Sequence, residues 1–537
     1  MLAELSYSID NSAASSVIYL HTVNMNIQRI GVIGAGLSGL VAAKTFIEEG
    51  YEVTVFEKQK GLGGVWEKSR SYPGVTTQSP RDMYAFSDYP MPTFYPESPT
   101  GEQVRNYLES YAQHFGITEK IHFQAEVTQV ERKTAKQPGW VVSVSYKNNL
   151  QGKIRLEKQE FDFILICNGT CNIPKVPSFP GMAEFIDSGG LVLHSTNIND
   201  DSLIQGKRVV VVGFAKSAAD IATFAVDKAS KCTLVFRQAS WKIPRYFLGF
   251  INIKYLMLTR LGQVWFPYRK FRGVEQVLHT VGKPLVWAFW RTLEILLRLQ
   301  LRLDACGMLP DEPIEGFINC PLSIATKNFY KYVRQGKIRA KKTTIERFVP
   351  GGVELANGER LSTDVMIFAT GFHQNIPFLE EQYRQQIIDN QGTFHLYRNL
   401  IHPDVPEMGF VGYNSTFSGT LSSEIGSRWL VESVKGNLVL PLRSEMLKDI
   451  EAELNWRQTK TPRGLYSGTC FFPFSFHYLD YLMRDLGAKI RQTGSIAEIV
   501  KPLSPSAYKN LRQELHAKRL ISINDSRIGE PVESKNS

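Results

Sequence analysis

Two stretches of the chain repeat one order of buried strand, helix and buried strand. In residues 30–56 an apolar run precedes a helical pattern that Gly50 closes, and a second apolar run follows it. The same order returns in residues 209–236, where the first run is four consecutive valines. Apolar strands that alternate with helices are typical of parallel sheets, so the sequence predicts an α/β fold built on two such units.

The first unit has glycine at three positions between its strand and its helix. Gly34 allows a tight turn, Gly36 lets backbone N–H groups approach a pyrophosphate, and Gly39 lets the helix pack closely on the strand. The second strand ends at Glu57, whose carboxylate can accept hydrogen bonds from an adenosine ribose and repels a 2′-phosphate. Together these features predict a Rossmann-like dinucleotide-binding site.

A second glycine cluster follows the acidic residue. It consists of Gly63, Gly64, Val65 and Trp66. Two adjacent glycines favour backbone that passes close to a second large group, and the tryptophan could form a wall for a flat ring. The alternative is an ordinary turn with a tryptophan in the core.

The second unit carries a related fingerprint of the form G-x-A-x-S-A. Its candidate binding residues are Gly213, Ala215, Lys216, Ser217, Ala218 and Asp220. The following strand ends at Arg237, where the first unit has Glu57. A cation at this position accommodates the 2′-phosphate of NADP, and Lys216 could add charge; the alternative is a solvated arginine at a strand end. Two fingerprints of opposite charge predict FAD and NADPH, with electron transfer between them.

Two further strands run into glycine. Gly169 follows the apolar run at 161–166, and Thr370 and Gly371 follow the run at 364–368. Because a glycine at the carboxyl end of a parallel strand permits close approach to a ligand, these residues are predicted to border the cofactor crevice.

These motifs together resemble those of the flavin-containing monooxygenases, the class B flavoprotein monooxygenases, over about residues 27–500. The resemblance implies that an NADPH domain is inserted in the FAD domain. It also implies that Thr77, Gln78 and Ser79 lie near the reactive flavin edge, with Gln78, the candidate catalytic residue, in place of the family's asparagine. Glu424 matches a helix whose N-terminus faces the flavin pyrimidine ring in that family.

The implied reaction is the insertion of one oxygen atom from dioxygen into a lipophilic amine or thioether, through a flavin 4a-hydroperoxide. The family's linker fingerprint is matched at Gly190 and His194 but lacks both aromatic ends, and we interpret His194 as a packed or hinge histidine. Baeyer–Villiger oxidation of ketones therefore stays open as the first alternative. A single-component flavin-dependent halogenase and an uncoupled NADPH oxidase flavoprotein are the others.

Charge is concentrated in one part of the chain. The net charge is +10, and residues 245–303 hold ten basic and two acidic residues, a surplus of eight. In a helix predicted over 284–303 the charged residues form one stripe on an otherwise apolar surface, a pattern typical of interfacial helices. We prefer a helical subdomain packed over the NADPH domain, with peripheral membrane contact as the alternative. Nucleic-acid binding is not expected, because no recognition module accompanies the charge.

The remaining features limit the class of protein. None of the six cysteines has C-x-x-C spacing, so no metal site is predicted. Residues 1–26 do not have the pattern of a signal peptide, and no uncharged apolar stretch has transmembrane length, which predicts a cytoplasmic protein. The substrate and the oligomeric state are not specified by the sequence. The sequence divides into an N-terminal extension whose composition is compatible with disorder (1–26), the FAD domain (27–172 and 340–520), the NADPH domain (173–339) and a disordered tail (521–537).

Overall fold

The computed structural model describes residues 27–133, 137–147, 154–318, 322–414, 416–461 and 476–528. The predicted extension at 1–26 lies outside the described residues, and so do residues 529–537 of the predicted tail.

The strands form two large parallel sheets and several small sheets, which are antiparallel except for one two-stranded parallel sheet, Lys242–Ile243 with Ser323–Ile324. In chain order they are β1 (Arg29–Ile33), β2 (Glu52–Glu57), β3 (Ile121–Phe123), β4 (Ala125–Arg132), β5 (Trp140–Lys147), β6 (Ile154–Phe161), β7 (Phe163–Ile166), β8 (Ile173–Pro174), β9 (Leu191–His194), β10 (Arg208–Val212), β11 (Lys231–Phe236), β12 (Lys242–Ile243), β13 (Tyr246–Phe247), β14 (Ile251–Asn252), β15 (Ser323–Ile324), β16 (Ile338–Lys342), β17 (Ile345–Val349), β18 (Gly352–Leu355), β19 (Arg360–Ser362), β20 (Val365–Phe368), β21 (Phe372–His373) and β22 (Met408–Phe410).

The helices cover both sheets and build the carboxyl-terminal third. They are α1 (Leu37–Ile47), α2 (Arg81–Tyr84), α3 (Gly101–His114), α4 (Met182–Asp187), α5 (Lys216–Ala225), α6 (Ile253–Met257), α7 (Arg260–Gln263), α8 (Val274–Leu278), α9 (Lys283–Leu301), α10 (Ile314–Phe317), α11 (Phe329–Arg334), α12 (Glu381–Ile387), α13 (Gly419–Val434), α14 (Arg443–Lys460), α15 (Phe476–Asp485), α16 (Ile496–Ile499) and α17 (Leu511–Ile528).

The first parallel sheet has the strand order β22-β7-β1-β2-β3. Its central strand β1 is buried on both faces, because α1 and α13 pack on one side and the antiparallel sheet β4-β5-β6 covers the other. Strands enclosed in this way need apolar residues at every position, which explains the continuous apolar run in the sequence. The predicted α/β class is therefore confirmed.

The second parallel sheet has the order β16-β11-β10-β20-β9. It corrects the predicted domain boundary at residue 340, because β16 and β20 both pair within this sheet. The chain returns to the first sheet only at β22. Strand order is set by tertiary pairing, so an apolar run such as β20 does not itself reveal the sheet to which it belongs.

A short ribbon joins the two sheets. The chain leaves the first sheet through β8 and returns from the second through β21, and these two strands pair antiparallel. His194, at the end of β9, lies against this ribbon: its Nε2 is 2.9 Å from the carbonyl oxygen of Gly371, and its ring packs edge-on against Phe372. Burial lowers the pKa of His194, so the imidazole is neutral near pH 7. This position agrees with a packed histidine at the hinge.

The basic segment at 245–303 forms short helices and the long helix α9 beside the second sheet. One face of α9 is buried through Trp290, Leu293 and Leu297. In the part of the chain that the structure describes, no helix is both long and apolar enough to cross a bilayer.

The carboxyl-terminal helix α17 corrects the predicted tail. Disorder was expected from residue 521 because the sequence there is polar, yet the helix continues to Ile528. Cations on its first turns bind acidic side chains of the first domain that are almost fully buried, Arg512 to Glu49 and Arg519 to Glu432. These ion pairs hold a helix whose own sequence has little apolar surface.

Candidate active site

The first fingerprint forms the turn that its glycines predict. Gly34 has a φ of +106°, and its N–H donates to the carbonyl of Phe56 at 2.8 Å. A Cβ on Gly39 would lie 1.8 Å from the carbonyl oxygen of Gly34, so no larger residue fits there. Helix α1 consequently begins directly above the strand end, with its first N–H groups at the edge of the sheet.

The second glycine cluster packs on this turn. A Cβ on Gly64 would lie 3.1 Å from the Cα of Gly36, and the N–H of Gly63 donates to the carbonyl of Ala35 at 2.9 Å. The two clusters therefore face each other across one narrow gap. The sequence predicted close backbone approach here but not that the partner is the first turn.

A cavity of about 390 Å³ runs along this edge of the first sheet. Of the residues predicted to bind the first cofactor, it is lined by Gly34, Gly36, Glu57, Gly63, Gly64, Val65, Trp66 and Gly169. The sequence did not predict Arg70, Tyr84, Cys171, Asn172, Gly419 and Ser423, which also line it. These residues come from loops, from the end of α2 and from the first turns of α13, which lie far from the glycine fingerprint in the sequence.

Glu57 is the last residue of β2, as the sequence predicted, and lines the cavity. Its Oε2 accepts from the N–H of Ala35 and its Oε1 from the N–H of Gln59, both at 2.8 Å. A carboxylate has about four acceptor positions, so positions remain for the two hydroxyls of a ribose. The glycine gap, the helix start and this carboxylate fit the adenosine diphosphate part of FAD.

Trp66 forms a wall of the same cavity. Its indole N–H donates to the hydroxyl of Tyr84 at 2.9 Å, and the two rings meet edge to face. Burial raises the pKa of Tyr84 to about 12, so this phenol stays protonated. Trp66 is only partly buried and lines the cavity, which favours the predicted wall over a core tryptophan.

Glu424 does not face the cavity, contrary to the prediction. Gly419 and Ser423 of α13 line it, and the hydroxyl of Ser423 is 3.0 Å from that of Ser38. Glu424 is one residue further, about 100° around the helix, and accepts instead from the N–H and the hydroxyl of Ser87. Burial, with the negative charge of Asp88 nearby, raises the pKa of Glu424 to about 7.

Residues Thr77, Gln78 and Ser79 lie outside the described cavity lining as well. The Thr77 hydroxyl donates to the carbonyl of Ser79 at 2.8 Å, and the Ser79 hydroxyl donates to the carbonyl of Phe417. The Gln78 side-chain oxygen accepts from the N–H of Ile324 at 3.0 Å. The segment therefore lies at the contact between the two domains, and its position near the flavin edge stays a prediction.

The second fingerprint forms a similar turn at the edge of the second sheet. Gly213 has a φ of +131°, and a Cβ there would lie 2.4 Å from the carbonyl oxygen of Ala369. Helix α5 begins at Lys216 after Ala215, without a side-chain cap, so the N–H groups of Ser217 and Ala218 in its first turn are open to an anion.

Two charged residues of this fingerprint bind each other. Lys216 forms an ion pair with Asp220, which also accepts hydrogen bonds from Thr326 and, at 3.0 Å, from Tyr72 of the first domain. The charge that Lys216 was predicted to add is therefore partly neutralised. Arg237 directly follows β11, where the sequence placed it, and its side chain is exposed.

Thr370 and Gly371 lie on the connection between the sheets. The Thr370 hydroxyl donates to the carbonyl of Lys175, and the N–H of Lys175 donates back to Gly371 at 3.0 Å. Both follow Ala369, which touches the Gly213 turn. They border the second fingerprint but do not line the described cavity of the first.

Comparison with known proteins gives consistent results. A family model described as flavin-binding monooxygenase-like matches residues 27–266 and 326–498. An Arabidopsis thaliana protein named "Probable flavin-containing monooxygenase 1" is 30% identical over 521 residues, which cover 90% of this chain and 97% of that protein.

Two solved structures show the same fold. An S-allyl-L-cysteine S-oxygenase from Allium sativum has a TM-score of 0.58 at 20% identity, and the match covers 94% of this chain and all of the other. A cyclohexanone monooxygenase from Rhodococcus sp. Phi1, bound to NADP⁺, has a TM-score of 0.65 at 18% identity and covers 86% of this chain and 98% of the other.

Proposed function

The chain belongs to the flavin-binding monooxygenase-like family and is a flavin-dependent oxidoreductase with FAD and NADPH as cofactors; from that premise we propose that it oxygenates a nucleophilic nitrogen or sulfur atom of a lipophilic substrate. NADPH, a proton, dioxygen and the substrate would give NADP⁺, water and the N- or S-oxide. The family predicted from the sequence is thus confirmed, and the substrate class is our proposal.

The observation that carries this proposal is the pair of nucleotide sites of opposite charge. The first has the carboxylate of Glu57 fixed beside the glycine turn, and the second has the exposed guanidinium of Arg237 beside the start of α5. A carboxylate selects a free ribose and a cation selects a 2′-phosphate. The two sites therefore suit two different dinucleotides in one molecule.

The chain's own residues would bind and orient these cofactors. The turn at Gly34–Gly39 and the N-terminus of α1 would hold the FAD diphosphate, and Gly64 and Trp66 would flank its ring system. FAD, when bound, accepts hydride from NADPH and activates dioxygen. The protein's contribution is to exclude water and to fix the geometry, so no metal or nucleophilic triad is needed.

Baeyer–Villiger oxidation of ketones is the second candidate. This reaction needs a cation close to the reacting oxygen, and Arg70 places a guanidinium on the cavity wall. It donates to the carbonyl of Cys171 at 2.5 Å, which leaves its other N–H groups for a ligand. Because the fold of this chain is similar to that of both an S-oxygenase and a cyclohexanone monooxygenase, the fold does not decide between the two reactions.

A coupling assay tests the proposal. The purified protein is mixed with NADPH in air while NADPH loss, peroxide release and product mass are followed for panels of amines, thioethers and ketones. We expect N- or S-oxides with little peroxide. Products from ketones alone would select the second candidate, bromide-dependent products would identify a halogenase, and complete conversion of NADPH to peroxide in every case would remove the monooxygenase proposal.

We also propose that the basic segment, residues 245–303, contacts an anionic membrane. Helix α9 is apolar on two opposite faces: Trp290, Leu293 and Leu297 are buried, whereas Leu285 and Leu299 are 63% and 69% exposed. Other exposed large apolar residues of the segment include Leu248, Phe250, Leu261, Val274, Val277, Val281, Trp287 and Ile295. Exposed apolar side chains within a segment with a surplus of eight positive charges suit a surface of acidic lipids.

Vesicle flotation tests this contact. The holoenzyme should float with vesicles that contain phosphatidylserine and much less with pure phosphatidylcholine vesicles. Replacing Leu285 and Leu299 by serine should abolish flotation, whereas Ile496→Ser, which removes an exposed apolar residue outside the segment, should not. Equal flotation of all variants, or none by the wild type, would contradict membrane contact.

A further inference from the structure

A short ribbon of the second domain holds the segment that carries Gln78. The ribbon consists of β12 and β15, which pair in parallel through Lys242 with Ser323 and Ile243 with Ile324. From β15, the N–H of Ile324 donates to the side-chain oxygen of Gln78 at 3.0 Å. One strand of the ribbon thus fixes the end of the glutamine side chain.

The other strand fixes the backbone beside it through Arg245, two residues beyond β12. One terminal nitrogen of the guanidinium donates to the carbonyl of Thr77 at 2.7 Å and to the hydroxyl of Thr76 at 3.3 Å. The other donates to the hydroxyl of Ser98. Because the five N–H groups of arginine diverge in a rigid fork, one side chain can hold three points of the first domain at once.

These contacts decide the orientation of the Gln78 amide. A backbone N–H can only donate, so the atom facing Ile324 must be the amide oxygen, and the NH₂ group points elsewhere. Among the described hydrogen bonds, the Gln78 Nε2 takes part in none. The extra methylene, compared with asparagine, gives the side chain the reach for this contact.

The position of this group follows from the two-domain arrangement. Cofactors held by separate domains can exchange a hydride only where the domains meet. Gln78 lies at such a contact, since Ile324 belongs to the second domain, and Tyr72 and Asp220 form a hydrogen bond between the domains as well. Two free donors at this junction can bind a carbonyl or a developing negative charge.

We propose that Arg245 is a positioning residue for oxygen transfer, which acts by holding Thr77 so that Gln78 presents its NH₂ group at the domain junction. The inference rests on the proposed monooxygenase function and adds a residue of the basic segment to its machinery. Without the hydrogen bonds from Arg245, the Gln78 amide would lose its fixed direction, and reducing equivalents from NADPH would be released as peroxide.

The test compares Arg245→Gln and Arg245→Lys with a matched control. In Lys254→Gln another contact between the basic segment and the first domain is lost, the 3.1 Å ion pair with Glu97, but the 76–78 segment is untouched. We expect Arg245→Gln to lower the oxygenated product per NADPH by roughly tenfold, as for a lost charge-assisted hydrogen bond, with partial rescue by lysine and no change in the control.

A double-variant cycle shows whether Arg245 acts through Gln78. In a Gln78→Ala background, Arg245→Gln should change the product ratio by less than about twofold, since coupled residues are not additive. Full additivity, or an equal loss in Lys254→Gln, would overturn the positioning role and leave only domain packing.

A spectroscopic readout separates this inference from the proposed function. Binding of NADP⁺ to the FAD-loaded protein should change the flavin absorption spectrum in the wild type and the lysine variant, and this change should be altered in Arg245→Gln. If no substrate is oxygenated by any variant, the proposed function fails, and the flavin spectra still decide the role of Arg245. Identical spectra in all variants would contradict it.

Discussion

Gly39 is the residue on which the first cofactor turn depends most directly. A Cβ there would lie 1.8 Å from the Gly34 carbonyl oxygen, so Gly39→Ala must push α1 away from the strand end. Overpacking of this kind costs about 1–3 kcal/mol. We expect purified Gly39→Ala to contain little FAD, measured as flavin absorbance per protein. Gly61→Ala, where the nearest atom would be 3.6 Å away, should keep its FAD, and equal flavin content in both would contradict the role of Gly39.

Arg237 is predicted to select the phosphorylated dinucleotide. Removal of a charge-assisted contact costs about 1.5–3 kcal/mol, so Arg237→Ala should raise the KM for NADPH by roughly 10- to 100-fold. NADH has no 2′-phosphate and serves as the internal control, with a KM that should change less than about threefold. Steady-state kinetics with both nucleotides measures this, and an equal rise for the two would contradict the assignment.

Glu424 gives the fold an unusual pH dependence. Burial raises its pKa to about 7 from an ordinary 4.5, so its contribution to stability is greatest below pH 4.5 and is lost as the pH rises through 7. Glu424→Gln imitates the protonated form and should add on the order of 1–3 kcal/mol to the free energy of unfolding at pH 8, with almost no gain at pH 4. Thermal unfolding at both pH values checks this, and an equal change at each would be evidence against a buried charge.

Ser423 lines the cavity and Glu424 does not, which shows how far single residues can be placed from the sequence. Glycines whose role is a local backbone turn, such as Gly34 and Gly213, were placed correctly because φ and close contacts depend on neighbours in the chain. The rotation of a helix about its axis depends on distant packing. An error of one residue therefore placed Glu424 at the cavity, whereas Ser423 is the residue that lines it.

At the scale of elements, α17 is held by buried carboxylates. Burial by itself would raise the pKa of Glu49, but hydrogen bonds from Lys435, Arg512 and Arg428 outweigh it and lower the pKa to about 2. This stabilisation is present above pH 4.5 and is lost as the pH falls towards 2. Glu49, in the turn that follows α1, thus links the end of that helix to α13 and α17.

Glu49→Gln should loosen this helix at neutral pH. The substitution leaves partly buried cations without their anion, and breaking such a pair costs about 3–5 kcal/mol. We expect a lower melting temperature at pH 7 and faster proteolysis within residues 511–528, and the difference from the wild type should shrink between pH 4 and pH 2. An unchanged protease pattern would show that the helix is held in another way.

Elements with strong periodicity were predictable, but their assignment to sheets was not. The apolar run of β20 was recognised as a buried strand, yet it was placed in the wrong domain because its partner β10 is more than a hundred residues away. The polar sequence of α17 predicted disorder. The prediction was wrong because the helix is held by ion pairs with residues at the other end of the chain, such as Arg512 with Glu49, which a local pattern does not reveal.

At the scale of the whole molecule, the function depends on how two sheets meet. The hydrogen bonds between the domains, Tyr72 to Asp220, Arg245 to Thr77 and Ile324 to Gln78, join residues that no local pattern connects. The two glycine turns at Gly34 and Gly213 were predictable because each is a compact local motif. The contact between the two sheets forms only in the folded chain, in which the connections pair as β8 and β21.

The most direct test of the account uses isotopically labelled dioxygen. The FAD-loaded protein is given NADPH, an aliphatic thioether and ¹⁸O₂, and the product is analysed by mass spectrometry together with the NADPH consumed. The account predicts a sulfoxide with one ¹⁸O atom and close to one product molecule per NADPH. A product with oxygen from water, or NADPH oxidation that yields only labelled peroxide, would contradict it.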